Sequence, residues 1–175
     1  GGVLYKDSIS HHFLGYILPF YALAQITGFS LELIREVALI NQVLTALGIY
    51  FLVGRLRSKN TAFLAGLLCL TAREPSVLGF SPFYQMNLLL VLILLCATLS
   101  FSKERYIYLA SSLAGIAFTF DQRAICFAVI PAIALLIQNR LVLIPRIAIA
   151  YLIAPILALL CLWRSDALLP FIEQS

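Results

Sequence analysis

The sequence predicts an all-α protein, a polytopic transmembrane helical bundle. Hydrophobic residues make up 62% of the chain and charged residues only 11%, against about 25% charged in an ordinary soluble domain. A chain of 175 residues has too little interior to hide that much apolar surface from water. The apolar residues also come in continuous runs rather than at the spacing of a half-buried helix. The charges fall between those runs, as they must when a charge at the centre of a span costs about 2.5–3.5 kcal/mol. Such a length makes one domain, read here as a single transmembrane domain over residues 1–175. Residues 1–30 form an outer loop and an interfacial helix, residues 31–163 about six transmembrane helices, and residues 164–175 the start of an outer segment.

The chain opens on a polar, loop-like stretch over residues 1–15, which holds Lys6, Asp7 and both histidines, His11 and His12. Residues 13–27 are apolar, with Pro19 and Gln25 inside, and Gly28-Phe29-Ser30 closes them. Residues 31–53 are the first full-length span, covering roughly 34 Å at the helical rise. Arg55, Arg57 and Lys59 follow without an anion, and by the positive-inside rule that turn is cytoplasmic. Residues 61–71 make a short apolar run that Arg73-Glu74-Pro75 interrupts, and a polar-aromatic stretch then runs to Asn87.

Residues 88–101 are a second clear run, closed by Lys103-Glu104-Arg105. Residues 106–120 and 124–137 flank the Asp121-Gln122-Arg123 triplet, and Asn139-Arg140 follows. Residues 141–163, with Pro145 and Arg146 near their start, are the last long run before Arg164, Asp166 and Glu173. Alternation from the cytoplasmic turn puts Lys103, Arg105, Arg140 and Arg146 inside. Lys6-Asp7, Arg73-Glu74, Asp121 with Arg123, and Arg164 with Asp166 then fall outside. Residues 31–53 run outside to inside in this scheme, so residues 13–27 lie along the interface, where Tyr16 and Tyr21 suit headgroup depth. The rival arrangement, a tilted span with Asp7 inside, stays open.

No soluble-enzyme signature is present: no G-x-G-x-x-G, Walker loop, H-E-x-x-H or G-x-S-x-G. Cys69, Cys96, Cys126 and Cys161 stand singly, without C-x-x-C, and are expected as buried small hydrophobes rather than metal ligands or disulfides. The net charge of +4 sits in the turns, so it sets topology rather than nucleic-acid binding. The Gly-Gly start without a signal peptide reads as a fragment lacking at least an N-terminal span. What remains for chemistry is charge at the outer face. Asp7 is a carboxylate between two apolar stretches, for which a solvated loop is the plain alternative. Arg35 and Glu36 follow Glu32, and a local Glu32–Arg35 pair at the helix start is expected. Arg73-Glu74 reads as a span tip. The Asp121-Gln122-Arg123 triplet lies between two runs near the ~17-residue limit for crossing, which draws it toward the hydrocarbon.

These residues carry a resemblance. Gly-Gly-Val-Leu-Tyr-Lys-Asp, then His12-Phe-Leu-Gly, then Gly28-Phe-Ser with Arg35 seven residues on, resembles the opening of the polytopic GT-C glycosyltransferases. The type is that of the protein-O-mannosyltransferases and aminoarabinose transferases (glycosyltransferase family 39). Leu113-Ala-Gly-Ile-Ala-Phe-Thr-Phe-Asp-Gln is similar to their span ending in Gly-x-Ala and a polar residue before Gln. The resemblance runs from Gly1 to Gln138 and has two departures. Phe13-Leu14 replaces the Pro expected after the histidines, and Asp121 stands where a lysine often precedes the Gln, with the cation displaced to Arg123.

The resemblance implies transfer of a sugar from a polyprenyl-phosphate donor to a lipid, glycan or protein acceptor on the non-cytoplasmic side. It implies Asp7 as general base on the acceptor, and Lys6, Arg35, Arg73 and Arg123 as candidates to hold the lipid phosphate. His11, His12, Glu74, Asp121 and Gln122 are candidates for acceptor or phosphate contacts. No cofactor and no metal site are expected, with a divalent cation left open. The partners are the donor, the acceptor and membrane lipids, with no nucleic acid. The location is a bacterial or archaeal plasma membrane, multi-pass, with the site facing outward. The alternative is a non-enzymatic polytopic protein, either a transporter half or an assembly subunit. An inactive homologue is a third reading. The absence of an internal repeat, and charges gathered at one face rather than the midplane, favour the enzyme over a conduit.

Overall fold

A computed structural model describes residues 25–28, 30–71 and 82–164. Among these the architecture is all-α. Helix α1 is Leu31–Leu56, α2 is Lys59–Thr71, α3 is Pro82–Leu99 and α4 is Arg105–Phe120. A 3-10 helix, Gln122–Ala128, leads directly into α5, Val129–Ile137, and a single 3-10 turn, Leu141–Leu143, leads into α6, Ile144–Arg164. Two segments among the described residues are long and apolar enough to cross a membrane, Arg35–Leu56 and Leu141–Arg164.

Local chemistry sets the helix ends. Gly28 adopts φ +80°, a left-handed conformation open to glycine at no steric cost. Ser30 then caps α1, its Oγ accepting the Leu33 N–H at 3.0 Å, and Glu32 in the first turn suits the positive end of the helix dipole. Gly28 and Ser30 thus mark the helix start. The turn after α1 is tight: the Arg57 N–H bonds the Val53 carbonyl, and Ser58 Oγ accepts the Thr61 N–H to begin α2. Pro82 opens α3, a position where its missing N–H is not needed.

Packing follows membrane rules: small residues inside, large apolar ones outside. Ala46, Ala62, Ala110, Ala114, Ala117 and Ala124 are buried, while Leu39, Ile40, Phe51, Leu152, Ile153, Ile156 and Trp163 are exposed. A soluble bundle would show the reverse, whereas helices in lipid gain by letting backbones approach through small residues. The α1–α2 hairpin meets through Gly54 against Ala62, and Gly66 against the Ala46 carbonyl. Gly48 receives Val91 of α3.

Helix α4 is central, packing against α3, α6 and the 3-10 helix. One small-residue stripe, Ala110 and Ala114, joins Ile93 and Cys96 of α3. The adjacent stripe, Ser111 and Gly115, faces α6: Ser111 Oγ donates to the Ile147 carbonyl at 2.6 Å, and Gly115 lies against the Tyr151 carbonyl. The 111–147 and 115–151 pairs make α4 and α6 parallel. Ala97 packs with Ala134 and Leu135, and Gln138 Nε2 donates to Ser100 Oγ at 2.7 Å, so α3 and α5 are parallel too.

Several expectations change. The run expected from residue 88 begins at Pro82, because polar Gln85 and Asn87 are accommodated in a helix whose apolar residues hold it in place. The run over residues 124–137 opens within a seven-residue 3-10 helix, Gln122–Ala128. At ~2.0 Å per residue in the 3-10 helix and ~1.5 Å in α5, residues 122–137 reach about 27 Å, close to a bilayer core that α-helix alone would fall short of. The expected Glu32–Arg35 pair does not form among the described residues, whose ion pairs are Arg123–Asp121 and Arg140–Glu104. Both Glu32 and Arg35 are exposed, where pairing gains little against side-chain entropy. Cys96 is buried as expected, but Cys69 is half-buried and Cys126 and Cys161 are exposed, since apolar positions here face outward as readily as inward. The interfacial helix expected over residues 13–27 lies outside the described residues except for its last three, which are helical and exposed.

Candidate active site

The 3-10 helix begins on a carboxylate. The Asp121 backbone N–H bonds the Ala117 carbonyl at 3.2 Å and closes α4, while its own carbonyl accepts the Ala124 N–H at 3.0 Å. Its Oδ1 accepts the Arg123 N–H at 2.8 Å, capping the new helix. One residue therefore ends a helix, starts the next, and fixes the backbone that carries Arg123. The Arg123 Nε lies 3.9 Å from Asp121 Oδ1, with the Arg123 side chain 79% exposed and that of Asp121 17% exposed. So loose a pair contributes under about 1 kcal/mol and leaves the guanidinium free to meet an anion. Gln122 is exposed beside it, and Cys126 Sγ donates to the Arg123 carbonyl at 3.1 Å.

Two amides overlooked in the sequence lie within the helices, Gln42 half-buried and Gln85 buried. Gln42 Nε2 donates to the Leu70 carbonyl at 3.0 Å and reaches that of Cys69 at 3.5 Å, satisfying carbonyls that the end of α2 leaves open. Gln85 is 9% exposed, and its Oε1 is buried without a hydrogen-bond partner. Counting back along α3 and α5 from the Ser100–Gln138 bond sets Gln85 at the height of the 3-10 helix. The signal for both was present: an amide inside an apolar helix is costly to bury unless a neighbour supplies a partner.

The opposite end of α3–α6 is built differently. Glu104 Oε1 accepts the Tyr108 hydroxyl at 2.9 Å, and its Oε2 accepts Arg140 Nη1 at 3.3 Å. Lys103, Arg105 and Arg146 are exposed there, the Arg105 guanidinium lying 5.2 Å from the Tyr106 ring centroid. The α1–α2 turn adds exposed Arg55, Arg57 and Lys59.

Of the residues singled out from sequence, Asp121, Gln122 and Arg123 share one capped turn, and Arg35 stands exposed one turn into α1. Helix α3 packs against both α1, which carries Arg35, and α4, which ends at the triplet. Lys6, Asp7, His11, His12, Arg73 and Glu74 lie outside the described residues.

Residues 15–163 match the model of the dolichyl-phosphate-mannose-protein mannosyltransferase family. The chain belongs to this family. It is accordingly a membrane glycosyltransferase of the all-α GT-C type. No curated protein and no solved structure matches it. The matched stretch takes in Arg35, Arg73, Glu74 and the Asp121-Gln122-Arg123 triplet, and it starts after Lys6, Asp7, His11 and His12. Family membership runs against the transporter-half and assembly-subunit readings.

Proposed function

We propose that this chain passes a sugar from a polyprenyl-phosphate donor to a lipid, glycan or protein acceptor, at the non-cytoplasmic face of a bacterial or archaeal plasma membrane that it crosses several times. The observation that carries the reading is the segregation of charge. Arg55, Arg57, Lys59, Lys103, Arg105, Arg140 and Arg146 lie at three turns, α1–α2, α3–α4 and α5–α6, with Glu104 as their described anion. Mixed charge, with Asp121 and Arg123, occupies the other end of α4. The positive-inside rule makes the basic turns cytoplasmic, which leaves the triplet facing out.

The chemistry then divides among few groups. The departing lipid phosphate gains negative charge at headgroup depth and is stabilised by fixed cations. Arg123 is the best-supported of these, because its backbone is held by Asp121 while its side chain is open. Arg35, Arg73 and Lys6 are the further candidates, and a guanidinium's planar fork suits phosphate oxygens better than an ammonium. Asp7 takes the acceptor's proton as general base, within ~2.6–3.2 Å of it in the reacting complex. His11, His12, Glu74 and Gln122 are left to orient acceptor or phosphate.

The test is transfer from radiolabelled polyprenyl-phosphate sugars by reconstituted protein, comparing the native chain with Asp7→Asn. Asparagine keeps the shape and removes the proton acceptor, so turnover should fall about 10²–10⁴-fold with donor binding kept. Retention of more than about a tenth of native transfer would end the assignment of Asp7 as base.

A further inference from the structure

Every cation of the basic turns except Arg140 lacks a carboxylate partner among the described residues. The ion pairs there reduce to Arg140–Glu104, and Glu104 is further occupied by the Tyr108 hydroxyl. Arg55, Arg57, Lys59, Lys103, Arg105 and Arg146 are all exposed. Their height is fixed by the helices that carry them. One membrane-length segment ends at Leu56, and the other begins at Leu141. Arg55, Arg57 and Lys59 therefore stand at the edge of the hydrocarbon, and Arg146, in the second turn of its segment, reaches that edge along its long side chain. The Arg140–Glu104 and Gln138–Ser100 bonds tie the α3–α4 turn to the end of α5, bringing Lys103 and Arg105 to the level at which α6 begins.

Exposed cations at that depth face headgroups rather than bulk water. Long side chains there keep their apolar stems along the helix and extend their charged ends outward. We propose that the basic turns form a docking rim for anionic lipid headgroups, with phosphate-bearing lipids of net negative charge as its occupant. Two groups of cations compose it, one on the α1–α2 turn and one on the turns around Glu104. Glu104 is the described anion of the second group, already holding Arg140, so lipid phosphates fall to Lys103, Arg105 and Arg146, which hold no carboxylate among the described residues. Net charge on the lipid is the required feature: a zwitterionic phosphatidylcholine carries the same phosphate with its charge cancelled. The rim uses the sidedness proposed above and none of the catalytic roles.

The experiment places the purified full chain in nanodiscs of equal phosphatidylglycerol and phosphatidylcholine, and measures by mass spectrometry which lipid it retains on gentle extraction. Each cation near an anionic surface contributes about fivefold in association, so phosphatidylglycerol should be enriched at least about fivefold. Raising salt to about 1 M shrinks the Debye length from about 8 Å to about 3 Å and should erase the enrichment in the native protein, which removes any dependence on a variant folding. The triple variants Arg55→Gln with Arg57→Gln and Lys59→Gln, and Lys103→Gln with Arg105→Gln and Arg146→Gln, should each lower it. Arg164→Gln, at the other end of α6, should leave it unchanged. Equal retention of the two lipids, enrichment that survives high salt, enrichment untouched in both triple variants, or equal displacement by soluble glycerol phosphate would each overturn the rim. Sugar transfer by the native chain is measured alongside, so loss of the rim leaves the catalytic reading standing.

Discussion

Asp121 and Arg123 occupy one turn but do separate things, and substitution can tell them apart. The carboxylate oxygen of Asp121 accepts the Arg123 N–H, a task an asparagine carbonyl performs as well. Asp121→Asn should keep both the thermal midpoint and transfer close to native. Asp121→Ala removes the cap and should cost about 0.5–2 kcal/mol of stability, read as a lowered midpoint in detergent. Arg123→Gln should leave the midpoint alone and lower transfer about tenfold to a hundredfold, the worth of a charge-assisted bond to a buried anion. Arg55→Gln, in the basic α1–α2 turn, is the matched control and should change transfer little. Equal losses in Asp121→Asn and Asp121→Ala would instead give the negative charge of Asp121 a role of its own toward acceptor or phosphate. At this scale the sequence was informative about residue type and silent about division of labour. The triplet was visible between two short runs, but nothing in its order told that Asp121 caps a 3-10 helix, because a cap is a property of backbone direction.

Helix α6 shows how a breaker becomes a contact. Pro155 lies inside it and has no N–H to give the carbonyl four residues earlier, which is that of Tyr151. That carbonyl faces Gly115 of α4, where an added Cβ would overlap it. One turn away, Ser111 Oγ donates to the Ile147 carbonyl. The α4–α6 seam is therefore made of backbone oxygens on one helix and small residues on the other. Gly115→Ala should force the helices apart and cost about 1–3 kcal/mol as an overpacked contact, measured by thermal unfolding in detergent. Gly54→Ala is the contrast: its Cβ would meet Ala62 Cβ at 3.6 Å, an ordinary contact, and the midpoint should barely move. Equal effects at the two glycines would mean that the seam is looser than its geometry. The elements themselves were readable, since long apolar runs divided by charges allow little else. Their ends were not where polar residues continued a helix: α3 takes in Gln85 and Asn87, because burial against neighbouring helices outweighs their local preference.

At the scale of the molecule, charge placement and chain direction make one joint claim. Helices α4 and α6 run parallel through the 111–147 and 115–151 contacts, and α3 and α5 run parallel through Ser100 and Gln138. Four helices thus put Lys103, Arg105 and Arg140 at one end and Asp121, Arg123 and Arg164 at the other, whatever membrane surrounds them. The alternation inferred from runs and charges groups these six residues in the same way, as the cost of placing a cation in hydrocarbon favours. The side each end faces is then open to direct measurement. In a cysteine-free background, with Cys69, Cys96, Cys126 and Cys161 replaced, single cysteines are placed at Ser58, Ser102, Gln122 and Arg164. An impermeant thiol reagent added to intact cells should label those at Gln122 and Arg164 and spare those at Ser58 and Ser102, which should react only after the membrane is opened. Labelling of Ser58 from outside would reverse the assignment and carry the proposed sugar-transfer face to the cytoplasm. Labelling of Ser58 and Ser102 from different sides would separate the α1–α2 hairpin from the other four helices in orientation and break the single basic face on which both proposals draw.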